Sequence, residues 1–342
     1  MEDVCRVVGS RTVAVMGSRY AAALACALLL AGCAASTPSP PTGPVPTSAS
    51  PSSSGSPVAR PAITRTPGMA FDLQAHRGGM GLTTEEQPAA YRKALALGVS
   101  TLELDTQVTA DKKVVVSHDR VIDGTKCRDT GSNHVVGRAI FTLTLAQVQT
   151  LDCGFQQYPG FEEQEVVTGA RLAELRDIVA VWREAGDPDV WFDIEIKFDP
   201  AKAAESVGRE EFVRVVVDEI NALGIADRTM IQSFDWLTLT EVHLLEPTWP
   251  LVALAGSDAF PPELAAGVAG VTTYSPRETI VTRAMIEQAH ALGLKVVPWT
   301  VDDPQRISVL IALGVDGLIT NYPDRARGML GASAPGLPPP IR

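Results

Sequence analysis

From about residue 71 the chain alternates two patterns. Short runs rich in β-branched residues read as strands, and longer runs with apolar residues three and four apart read as helices. Four times a helical run closes on Ala-Leu-Gly and passes straight into a strand-like run: Gly98 before VSTLELD, Gly224 before IADRTMIQSF, Gly293 before LKVVPWTV and Gly314 before VDGLIT. Glycine takes the left-handed position that stops a helix, so each of these marks a helix-to-strand junction. Leu172, Leu175, Ile178, Val179 and Trp182 also fall at helical spacing, closed by Gly186 and Pro188, and VWFDIEI follows as a strand. Strand-like runs lie near 71–75, 101–107, 114–117, 190–196, 228–232, 250–254, 270–274, 294–300 and 316–320. Alternating units of this kind imply a parallel sheet, and about eight of them in about 260 residues imply an α/β fold of the TIM (β/α)8-barrel type. A doubly wound sheet is the alternative. One of the nine runs is in excess of a barrel, and the pattern does not say which. The runs at 101–107 and 114–117 are joined by a short turn, and residues 120–170 form a long insertion after the third run.

The ends of the chain read differently. Arg6, Arg11 and Arg19 precede an apolar run from Ala21 to Ala31, the layout of a secretory signal over residues 1–32 and too short for a spanning helix. Leu30-Ala31-Gly32-Cys33 resembles the lipobox of bacterial lipoproteins, in which the cysteine is acylated; a soluble secreted protein with Cys33 incidental is the alternative. Residues 33–67 are rich in Pro, Ser and Thr, hold no acidic residue and show no apolar periodicity, as expected of an extended tether. The folded region is then 68–330, with a Gly/Pro-rich tail at 331–342. The expected location is the extracytoplasmic face of the cell membrane, through a lipid anchor, or secretion.

Composition narrows the function. With 45% apolar and 20% charged residues the chain is ordinarily globular, and its net charge of −11 argues against a nucleic-acid partner. Of five cysteines, only Cys127 and Cys153 lie in the exported domain. Two thiols in an oxidising compartment are expected to pair, two free thiols being the alternative.

The polar residues that stand out sit at strand ends: His76 and Arg77, Glu103 and Asp105, His118, Glu195 and Lys197, Gln232, and Trp299. In a parallel barrel those ends meet on one face. Residues two apart on a strand point the same way, so Glu103 shares a direction with Asp105 and Glu195 with Lys197. Three convergent carboxylates without thiolates suit one hard divalent cation, Ca²⁺ or Mg²⁺. His76 and His118 are candidates for general acid–base work, and Arg77 and Lys197 for holding an anion. Trp299 lines a substrate wall or packs the barrel. His134, His243 and His290 read as structural or surface residues.

AHRGG, PAAYRKALALGV, TLELDTQVTAD, VVVSHD, FDIEIK, IQSFD, VVPWTVDD and DGLITNYPD, from Gln74 to Asp324, resemble the glycerophosphodiester phosphodiesterase family. The resemblance implies a TIM barrel with a cap-like insertion after the third strand, a divalent cation, and hydrolysis of glycerophosphodiesters to an alcohol and glycerol 3-phosphate. Carried over by residue, Glu103, Asp105 and Glu195 match the metal carboxylates, His76 and His118 the catalytic histidines, and Arg77 and Lys197 the phosphate contacts. The substrate is then a small molecule, and no protein partner is implied. One departure stands out: where the family has Pro-Glu-Asn-Thr, this chain has Thr84-Glu85-Glu86-Gln87, an acceptor-only carboxylate in place of an amide. Two other functions fit the same residues: a phospholipase D-like or cyclising phosphodiesterase acting on lysophospholipids or sphingolipids, and a weakly catalytic lipoprotein that binds phosphodiesters.

Overall fold

The computed structural model describes residues 71–186 and 189–330; the signal, tether, Cys33 and C-terminal tail expected from the sequence lie outside the described residues. Eight parallel strands carry the fold. They are β1 (Asp72–Ala75), β2 (Thr101–Val108), β6 (Trp191–Ile196), β7 (Thr229–Ser233), β8 (Leu251–Ala255), β9 (Val271–Pro276), β10 (Lys295–Val296) and β11 (Gly317–Thr320). They pair in the order β10-β9-β8-β7-β6-β2-β1-β11. Hydrogen bonds from Asp316 N to Val296 O and from Ile319 N to Pro298 O, both 2.9 Å, bridge the remaining seam and complete a TIM barrel.

The excess strand is β3 (Val114–Val116), which lies antiparallel to β2 as a hairpin partner with Thr106 opposite Val116. The insertion therefore follows the second barrel strand. The run read at 294–300 is a strand only at Lys295–Val296, since Pro298 has no N–H to give a ladder. The helical pattern read from Leu172 begins at Leu175 in α3 (Leu175–Ala185). Asp177 Oδ2 accepts from Glu174 N at 2.9 Å and sets the start there, leaving Leu172 to pack in the insertion.

The helices α1 (Pro88–Leu97), α4 (Arg209–Leu223), α5 (Trp236–Leu245), α6 (Pro262–Gly267), α7 (Arg283–Ala291), α8 (Pro304–Leu313) and α9 (Pro323–Leu330), with α3, are threaded between the strands. Alternate strand residues face two environments. Leu102, Leu104, Phe192, Ile194 and Ile231 join the main apolar core with helix residues such as Tyr91, Ile178 and Phe212, whereas Trp191, Met230 and Val252 form a separate buried cluster. Glu103, Asp105, Glu195 and Gln232 share the parity of that cluster further along their strands. Close packing at the barrel seam requires glycine at 317, where a Cβ would stand 2.3 Å from Asp72 O.

Residues 117–174 form the insertion. It contains α2 (Leu145–Val148) and a two-stranded ribbon of β4 (Arg128–Asp129) and β5 (Leu151–Asp152). It has its own apolar core of Ile122, Val135, Ile140, Leu143, Val148 and Leu151, closed by the disulfide between Cys127 and Cys153 that the sequence led one to expect. The chain-entropy model assigns such a loop, 26 residues apart, about 3–4 kcal/mol.

Candidate active site

The site begins where β1 ends. Arg77, Gly78 and Gly79 all have positive φ, 51°, 81° and 88°. Gly78 also packs so closely that a Cβ would lie 2.8 Å from Ala90 Cβ. This tight loop turns the Arg77 backbone N–H onto Glu103 Oε2 at 2.8 Å. The left-handed conformation at a non-glycine residue costs about 1–2 kcal/mol, and the contacts of Arg77 hold it: Nη1 lies 2.7 Å from Glu85 Oε2 and Nε 3.1 Å from Asp105 Oδ2.

Glu103, Asp105 and Glu195 come together as the strand reading required. One oxygen from each lies within 4.8 Å of the others, and all three residues are buried. Lys197 Nζ stands 3.1 Å from Glu195 Oε1 and 3.6 Å from Asp105 Oδ1. Among the described residues no lysine or arginine side chain is in ion-pair range of Glu103; its oxygens accept from Arg77 N and from Gln232 Nε2 at 2.7 Å. The electrostatics follow. Burial, then the Asp105 charge, pushes Glu103 well above the usual carboxylate range. Burial also raises Glu195, to about 7, against the pull of Lys197. For Asp105 the opposing charges of Lys197 and Arg77 overcome burial and hold it well below that range.

The two histidines line the same cavity of about 90 Å³ as the three carboxylates, Arg77 and Lys197. Their partners differ. His76 Nδ1 is 2.5 Å from Asn321 Oδ1, and the Asn321 amide nitrogen is committed to Asp302 Oδ2 at 2.6 Å. The amide oxygen therefore faces the ring, which places hydrogen on Nδ1 and the lone pair on Nε2. Burial, with the Arg77 charge, pushes His76 down to about 3, so the ring is neutral at ordinary pH. His118 Nδ1 instead meets a carboxylate, Asp119 Oδ1, at 2.9 Å. Trp299 packs the barrel and also lines the cavity: its indole N–H donates to Ser275 O at 2.9 Å and its ring meets Phe234 edge-on at 5.2 Å.

Glu86 is not in the cavity. Its φ is 59°, a region asparagine tolerates better, and its Oε2 accepts from His118 N at 2.9 Å. Burial and the charges of Asp105 and Glu85 push its carboxyl well above the usual range. Residues the strand-end reading passed over are Asn321, Asp302 and Lys126. Asn321 lay in the quoted NYPD string directly after a strand, which was a usable signal; nothing in the local pattern marked Lys126.

A larger, mainly apolar groove of about 630 Å³ adjoins the cavity and shares Glu195, Lys197, Phe234 and Leu254 with it; Phe198, Trp236, Leu237 and Phe260 supply much of its apolar wall, with Arg120, Asp199 and Asp235 also lining it. His134 lies in the insertion, His243 in α5, and His290 in α7 against Asp316 at 2.8 Å, all away from the cavity.

The donor set fits a divalent cation. It is oxygen only, buried and clustered, and with all three carboxylates ionised, as ligands must be, they exceed Arg77 and Lys197 by one negative charge. A dication turns that into one positive charge, which complements a singly charged phosphodiester.

The site is a TIM barrel carrying an acidic metal-type triad, His76 and two cations at the C-terminal ends of its strands, with His118 brought to the same cavity by the antiparallel hairpin, an arrangement suited to anionic esters. The sequence model of the glycerophosphoryl diester phosphodiesterase family matches residues 76–325, and the chain belongs to that family. It is 29% identical to the glycerophosphodiester phosphodiesterase of Caldanaerobacter subterraneus subsp. tengcongensis over 73% of this chain and 93% of that one. To that of Bacillus altitudinis it is 28% identical, over 74% and 95%. Among solved structures, a provisionally named glycerophosphoryl diester phosphodiesterase of Silicibacter pomeroyi DSS-3 has a TM-score of 0.69 and 29% identity, covering 78% of this chain and 95% of that one. A phosphodiesterase of Oleispira antarctica, solved with the product sn-glycerol-3-phosphate, shares the fold at a TM-score of 0.62 and 19% identity, covering 76% and 96%. The protein is thus a phosphodiesterase of a divalent-metal-dependent family, with a buried acidic trio that could bind the metal.

Proposed function

We propose that the protein hydrolyses glycerophosphodiesters to an alcohol and glycerol 3-phosphate, with one Ca²⁺ or Mg²⁺ held by Glu103, Asp105 and Glu195. The observation that carries this reading is the convergence of those carboxylates with His76, His118, Arg77 and Lys197 around one cavity. The cation supplies charge neutralisation on the phosphoryl oxygens. Arg77 and Lys197 bind the phosphate and stabilise the charge that grows on it. The histidines divide the proton transfers according to their partners. His76, neutral with a lone pair on Nε2, is the general base toward the nucleophile, either the neighbouring glycerol hydroxyl or water. His118, backed at Nδ1 by Asp119, is the general acid toward the leaving alcohol, since a carboxylate there orients the ring. Trp299 and Phe234 form the wall against the organic part of the substrate.

The test is release of glycerol 3-phosphate from glycerophosphocholine with Ca²⁺, with Mg²⁺ and with EDTA, alongside His118→Ala. Metal-dependent release, lost in the variant, is expected; release insensitive to EDTA, or retained by His118→Ala, refutes the assignment. The apolar groove favours a second substrate class, lysophospholipids, whose acyl chain it would take; a persisting cyclic phosphate among the products would mark a cyclising route. The binding-only reading loses its ground, because the Glu86 carboxyl that motivated it is buried behind His118 rather than facing the cavity. Export and anchoring through Cys33 are part of this proposal and rest on the sequence of residues 1–33. Radiolabelled palmitate incorporation that Cys33→Ala abolishes would support anchoring, and incorporation that persists would refute it.

A further inference from the structure

Lys126 belongs to the insertion, yet its Nζ lies between two groups of the catalytic face, 2.7 Å from Glu85 Oε1 and 2.8 Å from Asp119 Oδ2. Each of those carboxylates uses its other oxygen on a residue of the site. Asp119 Oδ1 meets His118 Nδ1 at 2.9 Å, and Glu85 Oε2 meets Arg77 Nη1 at 2.7 Å. The result is one chain of paired groups: His118, Asp119, Lys126, Glu85, Arg77, then Asp105 at 3.1 Å. Lys126 stands midway in it between His118 and Arg77. It orients the partner of one histidine and the partner of the phosphate-contacting arginine at once.

The backbone explains how a flexible lysine is held there. Lys126 N and Cys127 N both donate to Asp123 O, at 3.1 and 2.8 Å, which makes a tight turn. The next side chain after Lys126 is the Cys127 sulfur, bonded to Cys153 at the adjoining end of the β4–β5 ribbon, the two Cα atoms 3.9 Å apart. Cys153 N in turn donates to Ala170 O at 2.7 Å, and Tyr158 OH donates to Cys153 O at 3.3 Å. The Lys126 ammonium also sits 5.8 Å from the centre of the Tyr158 ring. The turn that carries Lys126 is thus fastened one residue away from its charge.

We propose that Lys126 is a positioning residue for His118 and Arg77, and that the Cys127–Cys153 disulfide holds it in place, so that full activity requires the oxidised insertion. This rests on the reading of His118 and Arg77 given above. A dithiol reductant that forms its own disulfide while Cys127 and Cys153 each take up one electron and one proton frees the turn without touching the cavity. A chain kept reduced is then a weak enzyme, and oxidation completes it.

Glycerophosphocholine turnover by the full chain tests this. Displacing a catalytic group by about 1 Å costs up to about 100-fold in rate. Lys126→Met is expected to lower kcat about 10- to 100-fold through His118 and to raise KM through Arg77. Lys126→Arg, which can still bridge two carboxylates, restores most of the loss. Asp119→Asn added to Lys126→Met costs less than the product of the two single effects, because both break the same chain. The Cys127→Ser/Cys153→Ser variant, and the parent treated with dithiothreitol, shift kcat in the same direction as Lys126→Met. The thermal shift on adding Ca²⁺ reports that the fold and the acidic triad persist. Activity of Lys126→Met within two-fold of the parent, strict additivity with Asp119→Asn, or indifference to dithiothreitol overturns the proposal. Activity retained by His118→Ala would overturn the underlying assignment instead, which separates the two failures.

Discussion

Glu103→Gln is expected to make the protein more stable without metal and inactive with it. The side chains are nearly isosteric, and the site can absorb the change. Gln232 Nε2 now donates to Glu103 Oε1 while the Gln232 amide oxygen has no hydrogen-bond partner among the described residues, so turning that amide over offers an acceptor to the amide introduced at position 103. Little attraction is lost, since Arg77 and Lys197 make their ion pairs with Asp105, Glu195 and Glu85. The repulsion removed is larger. Carboxylate oxygens within 4.8 Å of one another repel by about 3 kcal/mol per pair at an effective dielectric of about 20. The upward push on the Glu103 pKa offsets part of this repulsion, so a net gain of about 1–3 kcal/mol is expected. In a domain of this size that is roughly 2–12 °C in Tm. The sign with pH follows from linkage. A carboxyl raised in the fold binds its proton more tightly than in the unfolded chain, so the parent loses stability as pH rises above the unfolded value. The variant lacks this term, and its advantage grows from pH 5 to pH 8. Thermal melts of both proteins in EDTA across that range, repeated with excess Ca²⁺, form the assay. A variant less stable than the parent in EDTA, or an advantage that shrinks as pH rises, would refute the reasoning. So would metal-dependent turnover equal to the parent's.

Three further outcomes are expected. Burial raises Glu195 to about 7, so below that pH a cation must displace a proton, and its affinity should weaken about ten-fold per pH unit for each proton released; calorimetric titration in buffers of different ionisation enthalpy reads both, and flat affinity from pH 5.5 to 7.5 would contradict it. His76→Ala should lose about 10²- to 10⁴-fold in kcat while keeping the parent's Ca²⁺ thermal shift; loss of that shift would place His76 among the metal ligands rather than at the proton. Gly317→Ala should cost about 1–3 kcal/mol or more of overpacking strain, because its Cβ would meet Asp72 O at 2.3 Å on the barrel seam; an unchanged denaturation midpoint would show that β1 and β11 can part freely.

What the sequence determined by itself was the periodic part of the molecule. Helix stops at Gly98, Gly224 and Gly314 all lie in the left-handed conformation, as the Ala-Leu-Gly pattern required. Glu103 with Asp105, and Glu195 beside the same cavity as Lys197, followed from the two-residue strand repeat and the convergence of parallel strand ends. Strand direction was not legible: β3 and the barrel strands share composition, and only the short turn before it, too brief for a crossover, hinted that it runs antiparallel. The division of labour between the histidines was also decided in three dimensions. His76 meets Asn321, 245 positions away, and no local pattern encodes such a pair. The same holds for Lys126, an ordinary charged residue in a loop until folding sets it between Glu85 and Asp119. Local periodicity fixes which way a side chain points. What a side chain meets depends on long-range packing, and in this protein the partners, more than the residues themselves, set the charge and orientation of the site.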